Sequence, residues 1–326
     1  MVYNKNKATK DILNGNRRAI AKAITLIEST HPESFLKGQE LLESLLPHAG
    51  NAIRIGVTGV PGVGKSTFIE AIGLFLIQQG YRVAVLAVDP SSKISGGSIM
   101  GDKTRMNLLA QDPSAFVRPS PSSGKLGGVA SKTRETILIC EAAGYDVIIV
   151  ETVGVGQSET IVSSMVDFFM LLLLPNAGDE LQGIKKGVLE LADLVVVNKS
   201  DGKQELLAKI SEAEFRKALQ LLTPSRNSWK VQILRCSALK KKGMEKIWKT
   251  ILEFREVLQK SGEWQKQRSN QTGKWLWSMV EEGLLTKFRK HNNIHKQIRK
   301  MEKEVEYGKT LPTVAARKLI DSFEIT

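Results

Sequence analysis

Asn51 to Thr67 reads NAIRIGVTGVPGVGKST, a short apolar run followed at once by a glycine-rich one. The apolar run, Ile53-Arg54-Ile55-Gly56-Val57-Thr58, has the length and β-branched content of a buried strand. The glycine-rich run, Gly59-Val60-Pro61-Gly62-Val63-Gly64-Lys65-Ser66-Thr67, matches G-x-x-x-x-G-K-[ST] at every fixed position. Glycines let such a backbone curl until several N–H groups converge on phosphate oxygens. Lys65 then reaches the β- and γ-phosphates, and the Ser66 hydroxyl suits Mg²⁺. The helix that Lys65 opens, running to about Gln79, adds the positive end of its dipole. A chance lysine in a glycine-rich turn would give the same letters, but not between a strand and a helix.

Outward from this motif the chain reads as an α/β P-loop NTPase. Near-continuous apolar runs at Arg82–Val88, Asp146–Val150, Phe168–Leu174 and Leu194–Val197 alternate with helical patterns. Runs of this kind predict a mostly parallel sheet covered on both faces. Shorter strands are expected at Phe116–Arg118 and Val231–Leu234. Helices are expected at about 129–143, 204–221 and 244–258. Before the motif, Arg18, Ala19, Ile20, Ala23, Ile24 and Ile27 support one amphipathic helix, and Phe35, Leu36, Leu41, Leu42 and Leu45 another. From Gly262 onward only helices are expected, with Trp264, Trp275, Trp277, Leu284, Leu285 and Phe288 as their large apolar positions. The expected division is therefore an N-terminal helical extension (1–50), a nucleotide-binding domain (51–260) and a C-terminal helical segment (261–326).

The base is chosen elsewhere. Asn198-Lys199-Ser200-Asp201 follows directly on the strand Leu194–Val197. An N-K-x-D there lets the Asp201 carboxylate accept from the ring N–H and exocyclic amine of guanine, a pattern adenine does not offer. Downstream, Ser237-Ala238-Leu239 follows another strand, where a backbone N–H suits the guanine carbonyl. All of these lie at C-terminal ends of strands, where α/β sheets bind ligands. GTP and GDP are thus the expected nucleotides.

Catalysis needs a metal partner and a sensor of the γ-phosphate. Glu151-Thr152-Val153-Gly154 has the spacing of the D-x-x-G of small GTPases, with Glu in place of Asp. Glu151 can hold Mg²⁺, and the Gly154 N–H can donate to the γ-phosphate and lose that bond on hydrolysis. Asp89, at the end of a strand, and Asp102, in a long polar loop, are further carboxylates for the magnesium shell. The competing readings are a turn cap for Asp89 and a solvated loop charge for Asp102. Lys65, Asp102, Glu151 and Gly154 form the expected catalytic set; Ser66, Asp89, Asp102 and Glu151 the metal set. Val155 stands where small GTPases place a water-orienting glutamine. Gln157 could take that task, or simply begin a helix.

These residues resemble the MeaB/ArgK subfamily of P-loop GTPases. The resemblance runs from about Asn14 to the C-terminal helices. It rests on GNRRAIAKAITLIES, GVTGVPGVGKST, AVDPSS, GDKTRM, PSSGKLGGVA, ETVGVGQSE, PNAGDELQGIKKGVLELAD and NKSD. It implies a chaperone of an adenosylcobalamin-dependent acyl-CoA mutase, most often methylmalonyl-CoA mutase, that uses GTP to gate cofactor loading and to protect or rescue the mutase. It also implies magnesium roles for Asp89, Asp102 and Glu151, and a homodimer formed through the C-terminal helices. A mobile loop at Asp179–Lys186 would report nucleotide state to the mutase.

Other readings are weaker. A metal-delivery GTPase would need a cluster of soft or imidazole ligands, but only His291 and His295 have helical spacing. A transport ATPase or kinase conflicts with NKSD. A binding module without hydrolysis leaves the Glu151–Gly154 pattern unused. No apolar run reaches the roughly 18 residues that span a bilayer, and the N-terminus carries no secretory signal pattern. Cys140 and Cys236, far apart and outside any C-x-x-C, read as reduced thiols of a cytoplasmic protein. Of the net charge of +13, residues from Lys203 onward carry all, with 27 Lys and Arg against 14 Asp and Glu. Glutamates interleave throughout that part, so solvated helix faces are expected and neither nucleic acid nor membrane is an expected partner. With no evident water-orienting group, intrinsic hydrolysis should be slow and raised by a partner. Steady-state turnover of the isolated protein should fall far below the roughly 10 per second of activated small GTPases, and a rate near that value refutes the expectation.

Overall fold

The computed structural model describes residues 3–29, 31–88, 106–118, 126–152, 158–175, 186–220 and 228–323. Asp89, Asp102, Gly154 and Gln157, and all but the last residue of the loop at 179–186, lie outside these. Three helices come first: α1 (Lys5–Leu13), α2 (Arg17–Glu28) and α3 (Pro32–Leu45). There follow β1 (Ile53–Gly59), α4 (Lys65–Gln78), β2 (Val83–Val88), α5 (Asn107–Gln111), β3 (Ala115–Arg118) and α6 (Leu126–Ala142). Next come β4 (Val147–Thr152), α7 (Ser158–Ser163), β5 (Phe168–Leu173), α8 (Lys186–Leu191), β6 (Leu194–Val197) and α9 (Glu205–Gln220). The last elements are β7 (Gln232–Arg235), α10 (Met244–Ser261), α11 (Glu263–Lys290), α12 (Asn292–Glu306) and α13 (Pro312–Asp321).

The seven strands form one sheet in the order β3-β2-β4-β1-β5-β6-β7, and every neighbouring pair is parallel. All residues of β2, β4, β5 and β6 are buried, which is why these strands are near-continuous apolar runs rather than alternating, with Glu151 and Thr152 at the end of β4 as the polar exceptions. On one face Ile53, Ile55 and Val57 pack with Phe68, Ile72 and Leu76 of α4 and with Ile247, Ile251 and Phe254 of α10. On the other, Leu86, Ile148 and Val150 pack with Ile137 and Cys140 of α6 and with Ile20, Ile24, Leu41 and Leu45 of the opening helices. The N-terminal extension is thus part of the core.

Several expectations shift. A third opening helix, α1, precedes the two anticipated. Its sequence KNKATKDIL buries only Ile12 and so carries no apolar period; its start is fixed by the Asn4 side chain, which accepts from the Lys7 N–H. Phe35 and Leu36, expected on an apolar face, are exposed, because α3 turns Gly38, Leu41, Leu42 and Leu45 inward. β4 runs two residues further than anticipated, so Glu151 lies within the strand, in register with Val57 and Ala87. The helices α5, α7 and α8 have five or six residues each, too short to show a period.

The foot of the sheet carries a charge network. Arg54 donates from Nε and Nη2 to the two oxygens of Glu141, at 2.8 and 2.9 Å. Burial opposes the charge on Arg54, but Glu141 and Asp167 more than offset this, and its pKa is raised. Asp167 Oδ2 accepts from the Arg54 N–H at 2.9 Å. Arg268 of α11 donates to both oxygens of Asp167, at 2.7 and 2.6 Å, and to the carbonyls of Gly50 and Ala52. Its guanidinium lies 5.0 Å from the ring centre of Trp264, which is buried.

By its internal contacts the chain divides into two compact units, Met1–Gln271 and Thr272–Thr326, the division falling inside α11. Within the second unit α12 packs on α13, and Phe288 meets Phe323 edge to face at 5.2 Å. Trp277, Leu276, Leu284 and Leu285 are exposed there. No described helix is long and apolar enough to cross a membrane. Arg268→Ala should remove about 3 kcal/mol or more of stability, because it strips the guanidinium from a buried carboxylate. Denaturant unfolding checks this; a loss below about 1 kcal/mol, the size of an exposed pair, refutes it.

Candidate functional site

A parallel sheet delivers all its strand ends to one edge, and the motif residues gather there. The phosphate loop leaves β1 through Gly59, whose φ is 151° and where a Cβ would come 2.5 Å from the Leu172 carbonyl oxygen. It enters α4 through Gly64, with φ of 92° and only 3.0 Å between such a Cβ and Asn198 Nδ2. Neither position admits a side chain. Lys65, mostly buried, donates from Nζ to the Gly59 carbonyl at 2.8 Å. The loop's own backbone thus holds the cation at the place where phosphate oxygens bind.

Ser66 Oγ donates to Glu151 Oε1 at 3.3 Å, and both residues are buried. The register of β4 beside β1 brings them together, since Glu151 points to the α4 face of the sheet while Thr152 points to the other. A hydroxyl and a carboxylate side by side are hard oxygen donors, and they suit Mg²⁺. On the opposite face Thr152 Oγ1 donates to Thr58 Oγ1 at 2.8 Å.

Asn198 ties the base-selecting segment to the phosphate loop. Its Nδ2 donates to the Val63 carbonyl at 2.9 Å, and its Oδ1 accepts from the Ala238 N–H at 3.1 Å and from Cys236 Sγ at 3.4 Å. Lys199, with φ of 55°, donates from Nζ to the Gly62 carbonyl at 2.8 Å. Asp201 accepts a short hydrogen bond from the Ser237 hydroxyl. Ser237 N–H donates to the Lys242 carbonyl. Two of the three N–H groups considered for the guanine carbonyl are therefore engaged within the protein, and Leu239 is exposed beside them. Burial pushes the Cys236 thiol up to about 12, so it stays protonated and donates to Asn198.

The structure thus brings together residues 59–67, Glu151, the 198–201 segment and residues 237–239. Sequence reading does not find the Thr58–Thr152 pair or the part played by Cys236. A threonine ending each of two apolar strands is the available signal for the pair. For Cys236 there is none beyond its place beside Ser237.

Comparison with known proteins agrees with this geometry. Residues 20–293 match the family described as methylmalonyl-CoA mutase-associated GTPase MeaB. The GTPase ArgK of Escherichia coli is 48% identical over 305 residues, which cover 94% of this chain and 92% of the relative. The mitochondrial methylmalonic aciduria type A homolog of Mus musculus is 46% identical over 323 residues, covering 96% of this chain and 78% of the relative. A solved structure titled LAO/AO transport system kinase superposes with a TM-score of 0.79 at 39% identity, covering 98% of this chain and 99% of the other. With its phosphate-loop motif, its parallel sheet and these matches, the chain belongs to the MeaB family of P-loop GTPases.

Proposed function

We propose that this GTPase is the chaperone of an adenosylcobalamin-dependent acyl-CoA mutase, of which methylmalonyl-CoA mutase is the leading candidate, and that GTP hydrolysis gates cofactor loading and protects or reactivates the mutase. The family's description and the name of the mouse relative support the partner. The observation that carries the nucleotide chemistry is the Asn198 carboxamide, which joins the base-selecting segment to the phosphate loop.

The residues take the following parts. Backbone N–H groups of residues 59–67 surround the phosphates, and Lys65 turns from the Gly59 carbonyl onto the β- and γ-oxygens. Asp201 accepts from the guanine ring N–H and amine, with residues 237–239 against its carbonyl edge. Asn198 and Lys199 keep the two loops in register. Ser66 and Glu151 would hold Mg²⁺, with Asp89 and Asp102 completing the shell; when bound, the ion offsets charge on the β- and γ-phosphate oxygens. Gly154 is the γ-phosphate sensor in this reading.

The same reading keeps 1–50 as a helical extension, 51–260 as the GTPase domain and 261–326 as a dimerisation segment. Exposed Leu276, Trp277, Leu284 and Leu285 supply apolar area for a second copy. Two buried free thiols suit a reducing, cytoplasmic setting. Among the described residues no group of three or more His, Cys, Asp or Glu could hold a metal ion.

Two measurements test these assignments. Asp201→Asn should weaken GDP and GTP binding by about a hundredfold or more and shift preference toward xanthosine nucleotides, whose edge an amide complements. Unchanged guanine selectivity in a titration of both nucleotides refutes the base assignment. For the partner, affinity capture with GTP, GDP or no nucleotide should recover a cobalamin-dependent mutase in a nucleotide-dependent manner. Capture of no such mutase in any state refutes the chaperone role.

A further inference from the structure

Among the described residues, none named so far orients the attacking water. From α7 to β5 the chain descends one face of the sheet. Thr152 ends β4 level with Val88, whereas the Asp167 N–H donates to the Arg54 carbonyl, near the foot of β1, at 2.9 Å. Midway, Val162 of α7 lies against Gly56, where a Cβ would come 3.0 Å from Val162 Cγ1. Ser158 and Glu159 precede Val162 by four and three residues. They therefore share its face and stand about 5–6 Å higher. Two residues along β1 from Gly56 cover roughly 6.6 Å. The pair is level with Thr58, the residue before the phosphate loop, and so stands at the loop's underside.

Ser158 is fully buried and Glu159 only 7% exposed. Ser158 Oγ and Glu159 Oε2 have no hydrogen-bond partner among the described residues. A buried carboxylate oxygen without a partner is costly, and such groups persist at functional sites where a reactant completes them. The buried polar groups at this level, Thr58 and Thr152, bond to each other and leave Ser158 Oγ and Glu159 Oε2 without a partner.

We propose that Glu159 accepts a hydrogen bond from the water that attacks the γ-phosphate, with Ser158 Oγ as a second partner. This rests on the hydrolytic site assigned above. The water oxygen forms its bond to the γ-phosphorus as the bond to the bridging oxygen breaks, and that electron pair leaves with GDP. One water proton stays on the released phosphate and the other passes to solvent. Glu159 aligns the water and ends the step unchanged.

Single-turnover hydrolysis, with nucleotide affinity and thermal stability measured on the same preparations, tests this in wild type, Glu159→Gln and Ser158→Ala. Glu159→Gln should slow hydrolysis by about a hundredfold while GTP and GDP affinity stay within about threefold, and Ser158→Ala should slow it less. An unchanged rate in Glu159→Gln, or one that falls only together with affinity and stability, overturns the assignment. Wild-type protein that leaves GTP intact would overturn the hydrolytic site and this inference with it. A hydrolysing wild type beside an unimpaired Glu159→Gln overturns this inference alone.

Discussion

One carboxamide holds the site together. Asn198 donates to the phosphate loop through Val63 and accepts from the segment after β7 through Ala238 and Cys236. Three loops from β1, β6 and β7 meet at a side chain with one donor group and one acceptor, both in use. The reach of that contact is set by Gly64, which leaves no room for a methyl group between them. The 198–201 segment and the phosphate loop are therefore one connected arrangement, and the parallel sheet makes it possible by ending its strands on one side.

The second constraint lies at the opposite end of the strands. Arg54, Glu141, Asp167 and Arg268 form a chain of charge-assisted hydrogen bonds across β1, α6, the residue before β5, and α11. These acids are almost fully buried, so the network is held by geometry rather than by surface attraction. Through Arg268 the first turns of α11 are anchored to the sheet. Trp264 covers the guanidinium, which explains why that tryptophan is buried while Trp277 on the same helix is exposed.

The parts of this architecture legible in the sequence are those written as contiguous letters. Residues 59–67 and 198–201 carry their geometry in glycines and in fixed spacings, and the buried strands announce themselves by composition. What stays hidden depends on register. Glu151 reads as a residue after a strand, because a carboxylate rarely belongs inside one; the pairing of β4 with β1 and β2 extends the strand through it. The four charges at the sheet's foot are separated by up to 214 positions from Arg54 to Arg268, and no local pattern joins them. Helix α1 lacks an apolar stripe, and α5, α7 and α8 are shorter than two turns, so periodicity has nothing to act on. Glu159 carries no signal of burial in the sequence, and only the placement of its helix turns it inward.

The packing of α2 and α3 has a consequence for the birth of the chain. Their apolar residues lie against α6 and β4, which are translated roughly a hundred residues later, several seconds of synthesis at about 5–20 residues per second. During that interval Ile20, Ile24, Leu41 and Leu45 lack their partners in α6 and β4. β4, central in the sheet, is the strand that closes the gap between β1 and β2, so until it emerges β1 has no strand beside it and β2 has β3 alone. A ribosome that stalls before residue 152 therefore presents an unfinished apolar layer, and the opening helices, paired with one another, act as its temporary cover.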